Sequence, residues 1–205
     1  MTQITSYATL KTAILDELDD SSLSDYAGDF VQRAEAMFNR RLYSLDTEDT
    51  GTASTVANTA YVSLPTGYKG MISVRIGDYA PLKQLSPDDF QSKWHEATAA
   101  LPQNWAIIDS LLYLGPTPDE TYTVNFNYVR TLTALSDSDT SNWILAQHPD
   151  LYLYASLAYG EMRRWNDERA ASLMALAEKL IAEINAYDAR RKRGNNIDTV
   201  PAEYF

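Results

Sequence analysis

The sequence predicts an α+β protein: a four-to-five-helix bundle with a central β-rich insertion and an extended C-terminal tail. Three observations predict it. Apolar residues recur at three- and four-residue steps near both ends of the chain. Between those ends, over residues 50–130, they alternate in short runs bounded by glycine, proline and asparagine. After Gly194 the periodicity stops. The expected divisions are 1–49 for the N-terminal helices of the bundle and 50–130 for the insertion. Residues 131–193 are expected to form a helical hairpin completing the bundle, and 194–205 the tail.

The elements follow in order. In "TSYATLKTAILDELDD", Thr5 or Ser6 can cap a helix whose Leu10, Ala13, Ile14 and Leu18 share a face. "DDSSLSD" reads as a turn. A second helix carries Tyr26, Phe30, Ala34, Met37, Phe38 and Arg41 at helical steps. "GTASTVANTAYVSLPTGYKG" offers two short strands around Asn58 and Thr59, and "MISVRIGDYAPLKQL" a hairpin turning near Gly77 and Asp78. "SPDDF" places a serine cap before a first-turn proline, the start of a short helix. "NWAIIDSLLYLG" gives two strands joined at Asp109 and Ser110. "TYTVNFNYV" alternates, with Tyr122, Val124, Phe126 and Tyr128 on the buried face. Residues 131–147 are a polar loop carrying Trp143. Pro149 then opens a helix running to about Trp165. After a tight corner, a last helix runs from about Asp167 to Arg193, with a seam at Leu173, Ala177, Leu180, Ile184 and Tyr187 that Met174 and Ile181 widen.

Composition narrows the function classes. The 205 residues are 45% apolar, enough for a core without staples. There is no cysteine, so disulfide and thiolate chemistry are excluded. The start "MTQITSYATLK" lacks the basic-then-apolar order of a signal peptide, and no run approaches a membrane span, so a soluble chain with no membrane partner is expected. Net charge is −11, and it is uneven. Residues 1–50 hold four basic and ten acidic side chains, 51–145 five and nine, and 146–205 eight and nine. That balance argues against general nucleic-acid binding, which needs net positive charge to displace counterions.

No catalytic constellation emerges. The glycines are scattered at turns, with no phosphate-binding loop and no nucleophile elbow. His95 and Glu96 are adjacent and diverge on a helix, so a surface histidine is the plainer reading. His148 stands at a helix start where Asp150 favours the dipole. Asp19, Asp20, Asp88 and Asp89 read as solvated or first-turn acids. The four bases 190–193 suit either a helix C-terminus or an acidic partner. No catalytic, cofactor or metal site is expected.

One stretch asks for more. "HPDLYLYASLAYGEMRRWNDERA" would make a helix apolar on nearly every side at first, and such a helix must be covered all round. The stretch and its surroundings resemble the head-to-tail adaptor proteins of tailed bacteriophages. The resemblance rests on Asn142, Trp143, Ile144 and Leu145, on the helix start at 149–154, and on the corner Asp167, Glu168, Arg169. Upstream it includes "AEAMFNRRL", "SLPTGYKGMISVRI" and "PLKQLSPDDF". It covers about residues 5–190, and the tail after Gly194 has no counterpart.

The resemblance implies a structural virion protein at the head–tail junction, made in the host cytoplasm. It implies a homo-oligomeric ring of about twelve copies in closed rotational symmetry. The portal protein would lie above it and a tail or nozzle protein below. DNA would pass through the lumen without specific binding, and no cofactor is implied. Arg190, Arg191, Lys192, Arg193, Ile197, Val200, Tyr204 and Phe205 would dock on the portal. Tyr152, Tyr154, Tyr159 and Trp165 would serve the subunit interface, since tyrosine buries a ring and keeps a polar handle. The tyrosines equally suit the centre of a helical core. The alternative function is a polymer- or glycan-binding module of a tail or capsid accessory protein, stacking sugars on exposed aromatic rings.

Overall fold

The computed structural model describes residues 3–192. Among them it is a mixed α+β protein with six α-helices and two sheets. The chain forms two compact units. One takes it as far as Asp46 and again from Leu132; the other is Thr47–Thr131.

The helical unit begins with α1, Tyr7–Leu18. Ser6 caps it: Oγ accepts from the Thr9 amide at 3.3 Å while Thr9 Oγ1 accepts from the Ser6 amide at 2.9 Å. Threonine thus closes a capping box that glutamate usually closes. Leu10, Ile14 and Leu18 are buried along one face. The expected turn after it is a 3-10 helix, Ser21–Tyr26, which Asp20 opens by accepting from the Ser22 amide at 3.0 Å. Helix α2, Ala27–Arg41, buries Phe30, Val31, Ala34, Met37 and Phe38.

After the β unit come three more helices of this unit. The polar loop contains one that periodicity could not reveal, because it is a single turn long: Trp143–Gln147, capped by Asn142. Pro149–Arg163 and Asp167–Lys192 follow. Numbered with the β unit's one helix in chain order, these three are α4, α5 and α6.

Helix α5 lies at the centre. Every residue from Leu151 to Glu161 is buried or half-buried. Helices α1, α2, α4 and α6 all pack on it. Gly160 brings α1 close, since a Cβ there would stand 2.8 Å from Leu18 Cδ1. Phe38 meets Tyr152 edge-on at 5.0 Å. The helix without a wet side is therefore covered by its own chain.

The α6 stripe read in the sequence holds at Ala177, Ile181 and Ile184, which are buried, with Leu173, Met174 and Leu180 half-buried beside them. It departs at its end, where Tyr187 is 61% exposed and Asp188 is buried instead. The partners of Asp188 explain the departure. Its carboxylate accepts from Ser44 Oγ, from the Leu45 amide at 3.3 Å and from Arg191 Nη1 at 2.9 Å. A polar side chain at the seam is tolerable when hydrogen-bonded, and a reading built on apolar spacing passes over it.

The β unit holds β1 Glu48–Ser54, β2 Tyr61–Ser63, β3 Tyr68–Ile76, β4 Lys83–Gln84, β5 Asn104–Ile108, β6 Leu111–Gly115 and β7 Thr123–Arg130. Helix α3, Pro87–Trp94, starts as expected, with Ser86 Oγ accepting from the Asp89 amide. One sheet runs β1-β7-β3 and the other β2-β6-β5-β4. Strand β7 alternates in burial, with Val124, Phe126 and Tyr128 inward. The β5–β6 hairpin turns through Asp109 and Ser110 at φ 49° and 62°, the two left-handed residues of a primed turn.

The expected hairpin at Gly77 and Asp78 is not formed. The turn exists, with the Tyr79 amide donating to Ile76 O at 2.9 Å. Its two strands, however, enter different sheets: β3 pairs with β7, and β4 runs parallel to β5. Pro81, just before β4, cannot donate to a ladder. One bond survives, from the Leu82 amide to Val74 O.

Gly115 fixes how α3 packs. A Cβ there would lie 2.6 Å from Trp94 Nε1, against the indole face. Gly115→Ala is expected to destabilise the β unit by about 1–3 kcal/mol through overpacking. Urea unfolding followed by tryptophan fluorescence checks it, and an unchanged midpoint would mean that the indole yields freely.

Candidate interaction surfaces

The aromatic residues singled out in the sequence separate by burial. Tyr152 is fully buried. Its hydroxyl donates to Glu35 Oε1 at 3.0 Å and accepts from Asn142 Nδ2 at 2.7 Å. It is a core ring and offers a neighbour no surface, which corrects its assignment to a subunit interface. Tyr154 and Tyr159 are half-buried, and Trp165 is 88% exposed.

Glu35 carries no local sign that sets it apart from the other charges of α2. It is 5% exposed and accepts from the Leu135 amide at 2.7 Å as well as from Tyr152. Burial pushes its carboxyl above the ordinary value, against the pull of those two donors. Burial and the Glu35 carboxylate in turn push the Tyr152 phenol well above its ordinary range. The loop between the β unit and α4 is thereby tied to two helices. Leu135 is buried, and Asn142 Nδ2 also donates to Thr133 O at 2.8 Å.

A second buried acid holds the α5–α6 corner. Glu161 is 0% exposed. Arg169 Nη1 lies 2.7 Å from its Oε1 as an ion pair rather than an aligned hydrogen bond. Asn166 Nδ2 donates to its Oε2 at 3.1 Å, and Arg164 Nη1 stands at 3.6 Å. The same arginines reach α1: Arg164 donates to Leu18 O at 2.9 Å and Arg169 to Glu17 O at 3.3 Å. The Asp-Glu-Arg corner thus has a physical reason, because its arginine neutralises a buried carboxylate. Asp20 lies nearby. The Ser22 hydroxyl and amide, donating at 2.6 and 3.0 Å, hold its carboxyl below the ordinary value, and Arg164 adds to this.

Of the basic run, Arg190 and Arg191 are exposed. Arg191 is already engaged, with Asp188 at 2.9 Å and Asp46 at 3.7 Å. The hydrogen bond to Asp188 raises its guanidinium further above its ordinary value. The Lys192 side chain, Arg193, Ile197, Val200, Tyr204 and Phe205 lie outside the described residues.

His95 and Glu96 are both exposed, with Nδ1 and Oε1 3.7 Å apart. His148 joins α4 to α5 with the Trp143 ring edge-on to it. On the β unit, a groove of about 430 Å³ is lined by Phe90, Trp94, His95 and Tyr113. Among the described residues no cluster of acids and histidines is arranged to hold a metal ion, and no helix is long and apolar enough to cross a membrane.

No curated protein matches the chain. A family model described as SU10 adaptor protein matches residues 5–200.

Proposed function

The chain belongs to the SU10 adaptor protein family, a family of phage head–tail adaptors, and on that footing we propose that it forms the ring joining portal to tail in a bacteriophage virion. About twelve copies close by rotational symmetry beneath the portal. The helical unit is the bundle that builds the ring wall. A tail or nozzle protein binds below, and DNA passes through the lumen. The acidic excess of residues 1–50 keeps phosphates from adhering to the wall over the ~8–10 Å that salt allows. The observation that carries the reading is the family match, which spans both units. Mixing the protein with the portal protein encoded beside it, and weighing the product, tests it. The expected product is a portal with many copies attached. Two separate species would overturn the reading.

The segment after Gly194 is proposed to dock on the portal. Ile197, Val200, Tyr204 and Phe205 are spaced as an extended chain presents them, and Pro201 lowers the entropy lost. Deleting residues 195–205 is expected to leave thermal unfolding nearly unchanged while abolishing portal binding. Unaltered affinity for the portal would show that the tail takes no part.

The groove on the β unit favours a second reading, a glycan-binding module. Phe90, Trp94 and Tyr113 line it. Aromatic walls suit the apolar face of a sugar. Binding to a host glycan that Trp94→Ala removes would support this reading over the first.

A further inference from the structure

Trp165 stands at the corner between α5 and α6, 88% exposed and at φ 59°. That is the left-handed region that glycine or asparagine ordinarily fills just past a helix end. The left-handed turn closes the end of α5, with the Asn166 amide donating to Glu161 O at 3.0 Å. A tryptophan there is strained where glycine would not be, and the closure of the helix gives no reason for its ring. Beside it, Met162 and Tyr26 are 42% and 37% exposed. With Tyr159, Arg33 and Arg163 they line a groove of about 600 Å³. Tryptophan, tyrosine, methionine and arginine are the residue types enriched at the centres of protein–protein contacts.

The groove is also positive in a chain of net −11. Three arginines, Arg33, Arg163 and Arg164, line it with two acids, Asp20 and Asp29. Arg164 is engaged with Glu161 and Asp20. Arg163 lies 3.5 Å over the Tyr26 ring. Neither Arg163 nor Arg33 has a carboxylate partner among the described residues.

The complementary sign is on the same chain. In the 3-10 helix 21–26, three residues make a turn, so Leu23 and Tyr26 share one face and Ser21 and Ser24 another. The first face looks into the arginine groove. The second borders a groove of about 510 Å³ carrying Asp16 and Asp19, with Asp20, paired to Arg164, on the rim it shares with the arginine groove.

We propose that the Trp165 corner of one copy docks into this acid-lined groove of the next copy. The proposal rests on the adaptor reading for the closure of such contacts into a ring. A contact between two different surfaces of one chain is the kind that propagates around a ring. Opposite charge favours this pairing, and like charge opposes two Trp165 corners meeting face to face.

The absence of cysteine makes the test clean. Met162→Cys and Ser24→Cys are prepared as separate proteins, mixed, assembled with the portal, and treated with a bis-maleimide spanning about 10 Å, a reach set by the close packing of an interface core. A covalent adaptor dimer is expected from the mixture and from neither variant alone. A dimer from Met162→Cys alone, or a cross-link to the portal, would overturn the proposal. So would a many-copy complex that gives no dimer, and in that case the adaptor reading stands. If no many-copy complex forms with unmodified protein, the adaptor reading fails and the proposal with it. Trp165→Gly supplies a second measurement. Removing the strained ring is expected to keep or raise the melting temperature while weakening assembly about tenfold or more. Unchanged assembly would overturn the proposal.

Discussion

Arg169→Met is expected to destabilise the helical unit by about 3 kcal/mol, the low end of the range for stripping one partner from a buried ion pair. Glu161 is fully buried, and its nearest cation is Arg169 at 2.7 Å. Without that cation the carboxylate keeps only the Asn166 amide and the more distant Arg164. The low end applies because the Arg169 side chain is 43% exposed and Arg164 remains. Urea unfolding followed by circular dichroism measures the loss. The double variant Glu161→Met, Arg169→Met is expected to recover most of it, because an apolar pair of similar volume removes the desolvated charge altogether. A single-variant loss below about 0.5 kcal/mol, the usual range for a surface change, would show that Arg164 alone satisfies Glu161.

Glu35→Gln is expected to become progressively more stable than the natural protein as pH rises. Burial raises the folded-state pKa of Glu35. A group so shifted contributes stability that is fully present below its unfolded value of about 4.3 and is lost as pH climbs through the raised folded value. Glutamine does not titrate, and its amide oxygen can still accept from the Leu135 amide and the Tyr152 hydroxyl. The difference in unfolding free energy between the two proteins should therefore be smallest near pH 4 and widen to a plateau at higher pH. Comparing the two proteins cancels the other carboxylates that titrate in the same window. A difference that stays flat from pH 4 to pH 8 would show that the two hydrogen bonds fully offset the burial.

Local signals were legible in the sequence and distant ones were not. Ser6, Ser86 and Pro149 announced helix starts because capping is settled within four residues. The inward face of β7 was legible because alternation is a local property. The separation of β3 from β4 was not, because β3 finds its partner on β7, some fifty residues further on. Tyr152 and Tyr159 look alike in the sequence. What decides that Tyr152 is core is a carboxylate on α2, 117 positions away. Glu35 and Glu161 read as ordinary helix-face charges for the same reason, since their donors come from other segments. Short i, i+3 spacings between acid and arginine were visible at Glu161 and Arg164, yet that pattern also describes solvated helix surfaces.

The central place of α5 bears on how the chain is made. Helices α1 and α2 leave the ribosome first, carrying Leu10, Ile14, Phe30 and Phe38, whose cover is a helix that begins only at Pro149. At bacterial translation speeds of roughly 5–20 residues per second, those apolar faces wait on the order of 5–20 s for it. Thr47–Thr131, by contrast, is continuous in sequence and holds its own core cluster, so it can close while synthesis proceeds. The order in which the segments are made is thus not the order in which their cores can be completed. The nascent helices α1 and α2 are the segment that host chaperones would shield, and the β unit is the part whose core needs no later residue.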